Sequence, residues 1–192
     1  MSTDSEIIAR SLDEPEAFSG IFERHVRPVG AYIARRLGSD AAEDVLSETF
    51  LVAFRRRGSY DRAYEDARPW LLGIATRLIK KQRTTEARQW RALQAQAGAA
   101  ATDDPGHAGS EERMDAERAV RELGPRITAL SPGDRDTLLL HAWGDLTYEQ
   151  IAAALKVPVG TVRSRLNRVR QRLTTPGVAG AMQRTERAGR NP

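Results

Sequence analysis

Cysteine is absent from the 192 residues, which excludes disulfides, thiolate metal sites and redox thiol chemistry. Histidine is scarce. His25, His107 and His141 stand far apart, without the spacing that metal ligands keep, and read as structural or surface residues. No run of about 18 apolar residues occurs, and the opening MSTDSEII has neither a basic start nor an apolar core. Neither a membrane span nor a signal peptide is expected, and the expected compartment is the cytoplasm. The chain also lacks strand-like alternation, internal repeats, a phosphate-binding glycine loop, and any Ser-His-Asp or paired-carboxylate constellation specific enough for an active site. No catalytic residue, metal or cofactor is therefore expected, and the fold class expected is all-α.

What is present is positive charge in a particular place. The net charge of +4 is modest, but residues 1–94 carry +2, residues 95–122 carry −4 and residues 123–192 carry +6. A basic C-terminal part is the electrostatic footprint of a nucleic-acid binder. Within it, Thr147 and Gln150 form a capping box that opens a helix from Tyr148 to Leu155, with Ile151 and Leu155 on one face. Lys156, Val157 and Pro158 break that helix. Periodicity resumes at Val159, with Val162, Leu166, Val169 and Leu173 facing inward. Arg163, Ser164, Asn167 and Arg168 then face outward, and Thr161 to Leu173 holds five arginines and no acid. Two helices at this spacing form a helix-turn-helix, whose second helix reads the major groove. Arginine donates two hydrogen bonds to guanine, asparagine pairs with adenine, and serine bonds bases or phosphates.

Upstream, Phe18, Ile21, Phe22, Val29, Tyr32, Ile33 and Leu37 predict one or two helices ending at Gly38. Asp40 is placed to cap a helix from Ala41 to about Arg57, with Val45, Thr49, Val52 and Ala53 buried and Phe50, Leu51 and Phe54 broadening that face. Gly58 to Arg68 reads as a polar loop containing Tyr60 and Tyr64. Pro69 suits the first turn of the next helix, Trp70 to about Arg91, which buries Leu71, Ile74, Ala75, Leu78 and Ile79 and exposes Arg77, Lys80, Lys81 and Arg83. Residues 95–112 have no apolar side chain larger than alanine and read as a flexible linker. Met114 to Leu123 is predicted helical. Ser131 and Asp134 predict a second capping box opening a helix from Pro132 to Trp143, and residues 176–192 read as a disordered tail.

These segments carry a family resemblance. FSGIFERHVRPVGAYIARRLG, SDAAEDVLSETFLVAFRR and ARPWLLGIATRLIKKQR resemble region 2 of bacterial RNA polymerase sigma factors of the extracytoplasmic-function group, within the sigma-70 family. LSPGDRDTLLL and LTYEQIAAALKVPVGTVRSRLNRVRQRL are similar to region 4 of that family. The resemblance implies two helical domains, over residues 1–94 and 113–175, that bind core RNA polymerase and promoter DNA, with an anti-sigma factor as a possible further partner. On it, Asp40, Glu43, Asp44, Glu48 and Phe50 face the polymerase, and Tyr60, Tyr64, Trp70, Arg77, Lys80 and Lys81 meet the minus-10 element. Thr161, Arg163, Ser164, Arg165, Asn167 and Arg168 meet the minus-35 element. Ser47 stands where the family usually has Gln, and Arg77, Lys80, Lys81 and Gln82 depart from its usual minus-10 helix, so the promoter sequence is not read from this chain. Two other readings fit parts of the sequence: a free-standing helix-turn-helix regulator, which would bind a palindrome as a dimer, and a basic helical enzyme or adaptor.

Overall fold

The computed structural model describes residues 2–38, 41–96 and 126–174, with side chains described as far as Thr84 in the long central helix. Among these residues every regular element is helical: α1 (Asp4–Arg10), α2 (Ser19–Leu37), α3 (Ala42–Arg56), α4 (Arg68–Gln96), α5 (Pro132–Ala142), α6 (Tyr148–Leu155) and α7 (Val159–Thr174). Short 3-10 turns at Pro15–Phe18 and Arg57–Ser59 link α1 to α2 and extend α3.

The first helix has a local cause. Thr3 Oγ1 accepts from the Glu6 amide while the Glu6 carboxylate accepts from the Thr3 amide, a reciprocal capping box. Apolar periodicity from Phe18 onward does not reveal it, but the T-x-x-E spacing does. The helix then positions Asp4, only 6% exposed, against the rest of the bundle. One Asp4 oxygen accepts from Arg24 at 2.9 Å, and the other accepts from the Ala67 amide at 2.9 Å and lies 2.6 Å from His25 Nε2. Burial opposes ionisation of this carboxyl, but the Ala67 amide, His25 and Arg24 outweigh it and hold its pKa below the usual value. Asp66 lies close enough to Asp4 and His25 for the three to resemble a metal-ligand trio. Both Asp4 oxygens are already committed to donors, so the cluster acts as a latch tying α1 to α2 and to the start of α4.

Asp4→Asn is expected to lower stability by about 1–3 kcal/mol at pH 7, because one partner of a buried charged network is lost. The folded pKa of Asp4 is depressed, so its contribution is complete above the unfolded value near ~3.9 and disappears as pH falls through the folded pKa. Urea melts at pH 7 and at successively lower pH should show the gap between wild type and variant closing below about pH 4. A gap independent of pH would discount the charge.

The α2 helix runs to Gly38, whose φ of 82° only glycine adopts without strain. Its buried face is Ile21, His25, Val29, Tyr32, Ile33 and Arg36. The α3 helix buries Ala42, Val45, Thr49, Phe50 and Ala53. Val52 and Phe54 are half-buried and Leu51 is exposed, so the inward face is narrower than periodicity predicts. Asp40 lies outside the described residues, and the N-cap of α3 is Ala41, which offers no capping side chain. The α4 helix buries Leu71, Leu72, Ile74, Ala75, Thr76 and Ile79, leaves Leu78 half-buried, and packs on α2 and α3.

In the C-terminal half, Ser131 Oγ accepts from the Asp134 amide, but the return bond of a full capping box is missing because the Asp134 carboxylate is turned to Arg168 instead. Thr147 and Gln150 complete theirs in both directions. The α6 helix stops at Lys156, which takes the left-handed conformation at φ 55°. Inward-facing Ile151, Val162, Leu166 and Val169 join α6 to α7, while Leu173 is half-buried.

The N-terminal and C-terminal helices pack against each other through α4 and α6. One contiguous set of buried side chains runs from Ile7 and Ile21 through Leu71 and Leu72 to Leu140, Ile151 and Val162. The predicted helix at Met114 to Leu123 and the tail at 176–192 lie outside the described residues, as does the linker beyond Gln96; Ala95 and Gln96 continue α4.

Candidate nucleic-acid interface

The α7 helix sits on α5 and α6 with its apolar stripe buried, which fixes the direction of the other face. Arg163, Ser164, Asn167 and Arg168 are exposed, as their spacing predicts, and Thr161 and Arg165 are half-buried at its edge. Ser164 Oγ donates to the Thr161 carbonyl at 3.0 Å, a bond within the helix that a base or phosphate can replace. Arg165 lies along α5, its guanidinium over Gly133, where a Cβ would come within 3.0 Å of it. Arg170 donates to the Tyr148 hydroxyl at 3.2 Å and so braces α7 on α6.

Arg168 has a partner that the sequence does not suggest. Its Nη2 donates to Asp134 Oδ1 at 2.9 Å, and that hydrogen bond is the main cause holding the buried Asp134 carboxyl below its usual pKa. The two residues are 34 positions apart, and periodicity reports nothing at that range. Asp134 therefore orients an exposed arginine on the outward face of α7.

A second feature lies where the loop before α4 and the first turns of α4 meet the end of α6. Tyr60, Tyr64, Trp70 and Arg77 converge on a cavity of about 360 Å³, with Arg56, Ser59, Asp61, Asp66 and Pro69 from the N-terminal half and Ala153, Ala154 and Lys156 from the C-terminal half also in its wall. Tyr60 is buried, its ring 5.0 Å from that of Trp70, and its hydroxyl donates to the Tyr64 carbonyl at 2.6 Å. Burial and the surrounding carboxylates push the Tyr60 phenol well above its ordinary pKa, keeping it neutral. Trp70 is half-buried and Tyr64 exposed, so the loop tyrosines divide the work: Tyr60 holds the loop and Tyr64 stands open. Burial, then the neighbouring Arg56, lowers the pKa of Arg77, which still leaves it cationic. Lys80 and Lys81 lie about one turn further along the exposed side of α4, outside the cavity wall. Arg83 instead donates to the Arg36 carbonyl near the C-terminus of α2, which assigns it to holding that helix end. Arg56, from α3, was not suggested by any motif.

On α3, Glu43, Asp44 and Glu48 are exposed along one flank. Phe50 is buried and meets the exposed Phe22 edge-on at 4.9 Å, so the apolar surface beside the acids is formed by Phe22 and Leu51 rather than by Phe50 itself.

Known proteins match along both halves. A family model for sigma-70 region 2 matches residues 21–89, and one for sigma-70, region 4 matches residues 121–173. The chain belongs to the sigma-70 family of RNA polymerase sigma factors. The ECF RNA polymerase sigma-E factor of Escherichia coli strain K12 is 29% identical over 177 residues, covering 88% of this chain and 91% of that protein. The RNA polymerase sigma factor CarQ of Myxococcus xanthus is 29% identical over 163 residues, covering 82% and 87%. In fold, this sigma factor is similar to CnrH in complex with the cytosolic domain of CnrY, with a TM-score of 0.60 at 20% identity over 89% of this chain and 94% of that one. It is similar also to the sigma factor RpoE bound to the anti-sigma factor NepR from Bartonella quintana, with a TM-score of 0.58 at 22% identity over 81% and 93%.

It is thus a sigma factor of the extracytoplasmic-function group, which directs core RNA polymerase to promoters and initiates transcription. A free-standing helix-turn-helix regulator leaves the region 2 match over residues 21–89 without an explanation. Among the described residues no helix is long and apolar enough to cross a membrane.

Proposed function

We propose that the three surfaces divide promoter use between them. The exposed Arg163, Ser164, Asn167 and Arg168 on α7, with Thr161 and Arg165 at the margin, read the minus-35 element in the major groove. The cavity formed by Tyr60, Tyr64, Trp70 and Arg77 receives an unstacked base of the minus-10 element, and Lys80 and Lys81 follow the strand's phosphates. The convergence of aromatic and cationic side chains on one cavity is the observation that carries this assignment. Opening the duplex then needs no chemical step. Trapping a base against aromatic rings offsets the few kcal/mol that unstacking costs, so the factor acts by binding energy, without catalysis of its own and in the cytoplasm.

The acidic flank of Glu43, Asp44 and Glu48, with Phe22 and Leu51 beside it, docks on a basic surface of core polymerase. An anti-sigma factor is a further partner in this reading, supported by the Bartonella neighbour bound to one. Asp44→Lys with Glu48→Lys is expected to weaken core-polymerase binding about tenfold or more through like-charge contact. DNA binding by α7 should be unaffected. Affinity for purified core polymerase, measured beside minus-35 duplex binding, tests both points, and unchanged polymerase affinity would remove α3 from the interface.

A further inference from the structure

The loop that carries Tyr60 and Tyr64, between the 3-10 turn ending at Ser59 and the start of α4 at Arg68, has no regular structure to fix its backbone. Its internal bonds run from Tyr60 to Tyr64: the Ala63 amide donates to Asp61 Oδ1 at 3.1 Å, the Tyr64 amide to the Asp61 carbonyl at 3.2 Å, and the Tyr60 hydroxyl to the Tyr64 carbonyl. These bonds leave the Arg62 and Glu65 carbonyls and the Ala67 amide to find partners elsewhere.

The partners come from α1. The Asp4 amide donates to the Glu65 carbonyl at 3.1 Å, the Ser5 hydroxyl donates to the Arg62 carbonyl at 3.0 Å, and Asp4 Oδ2 accepts from the Ala67 amide at 2.9 Å. Past the other end of the helix, the Ser11 carbonyl accepts from Arg57 Nε at 3.0 Å, just before the loop begins. The α1 segment thus grips the chain at positions 57, 62, 65 and 67, on both sides of Tyr60 and Tyr64. It is itself anchored: Ile7 and Ile8 are buried in the core, and Asp4 is tied to Arg24 and His25 on α2. Asp4 and Ser5 do not line the cavity, and α1 precedes residues 21–89 matched to region 2.

We propose that α1 is the positioning element of the minus-10 loop, with Asp4 and Ser5 holding Tyr64 where an unstacked base meets it. The inference rests on the assignment of the cavity to the minus-10 strand. Trp70 is carried by α4 and Tyr64 by the loop, so the placement of the loop sets how far apart the two rings stand. A loop already in its binding shape loses little further freedom when the strand arrives. A released loop orders only then, and binds more weakly.

Four variants separate loop placement from stability. Asp4→Ala removes the acceptor for the Ala67 amide, whereas Asp4→Asn keeps an oxygen there and removes the charge that Arg24 and His25 meet. Ser5→Ala removes only the bond to Arg62, leaves the buried network intact, and decides the matter if Asp4→Ala does not fold. Tyr64→Ala reports on the cavity itself. Each full-length variant is assembled with core polymerase into holoenzyme, and binding of a labelled, random-sequence single-stranded 20-mer pool is measured by fluorescence anisotropy at fixed salt, against core polymerase alone. Strands retained by each holoenzyme are sequenced.

We expect Asp4→Ala to bind strands about tenfold more weakly, as for a loop correctly placed about one time in ten, and to flatten base preference. Ser5→Ala should lose about two- to threefold and Asp4→Asn less than about twofold, with polymerase affinity the same in all. Wild-type strand binding by Asp4→Ala, or by Ser5→Ala in its place, beside a weakened Tyr64→Ala would overturn this inference alone. Wild-type binding by Tyr64→Ala would overturn the cavity assignment and the inference with it. Equal losses in Asp4→Asn and Asp4→Ala, or lost polymerase affinity in Asp4→Ala, would trace the defect to the fold and overturn the inference as well.

Discussion

Leu140→Ala is expected to cost about 2–5 kcal/mol and to lower the stability of the whole described chain in one transition. Leu140 is completely buried on α5, so truncation removes apolar contact and leaves a cavity that its neighbours only partly fill. It also belongs to a core that continues into α4 and α2. Damage in region 4 should therefore reach region 2, and far-ultraviolet circular dichroism and Trp fluorescence should lose signal at the same urea concentration. Two separated transitions, with only one displaced, would show that the halves fold independently.

On the reading face, Arg163→Ala is expected to lose about 1–3 kcal/mol of minus-35 affinity, roughly 5- to 150-fold, and to relax base preference at one position. Arg163 is exposed on α7, and the proposed minus-35 role gives it a base edge or a phosphate as partner. Arg168→Ala should behave differently. It removes an outward cation and also uncovers the buried Asp134 carboxylate, so it should lower both affinity and thermal stability. Arg172→Ala, nearer the end of the helix, should weaken all sequences alike and reduce the salt slope by about one unit. Binding of these variants to a library of minus-35 duplexes at several salt concentrations separates the three outcomes. An Arg163 variant with unaltered base preference would place that residue on phosphate only.

What could be read along the chain is what short-range physics controls. The capping boxes at Thr3–Glu6 and Thr147–Gln150 join groups three residues apart, and the stripe Val162, Leu166, Val169 follows one face of a single helix. The sequence thereby determined the helices of region 4, the exposed set Arg163, Ser164, Asn167 and Arg168, and the all-α class. Where two residues compete for one partner, local rules lose. Ser131 and Asp134 have the spacing of a full capping box, but Asp134 gives its carboxylate to an arginine 34 residues away, where a hydrogen bond between two opposite full charges replaces the return bond to a neutral amide.

Only the tertiary structure decided the rest. Tyr60 and Tyr64 look alike in the loop, and packing buried one beneath Trp70 while leaving the other open. Phe50, Leu51 and Phe22 all have the apolar spacing of inward residues, and packing buried Phe50 while leaving Phe22 and Leu51 outside; the resemblance alone sets Phe50 at the polymerase. Arg36 and Asp136 meet across 100 residues, and Gly73 is small because a backbone carbonyl from another helix lies against it. Hydrogen-bonding spacing and apolar periodicity carry information over a few residues, whereas the pairing of distant surfaces depends on how complete helices fit together in three dimensions.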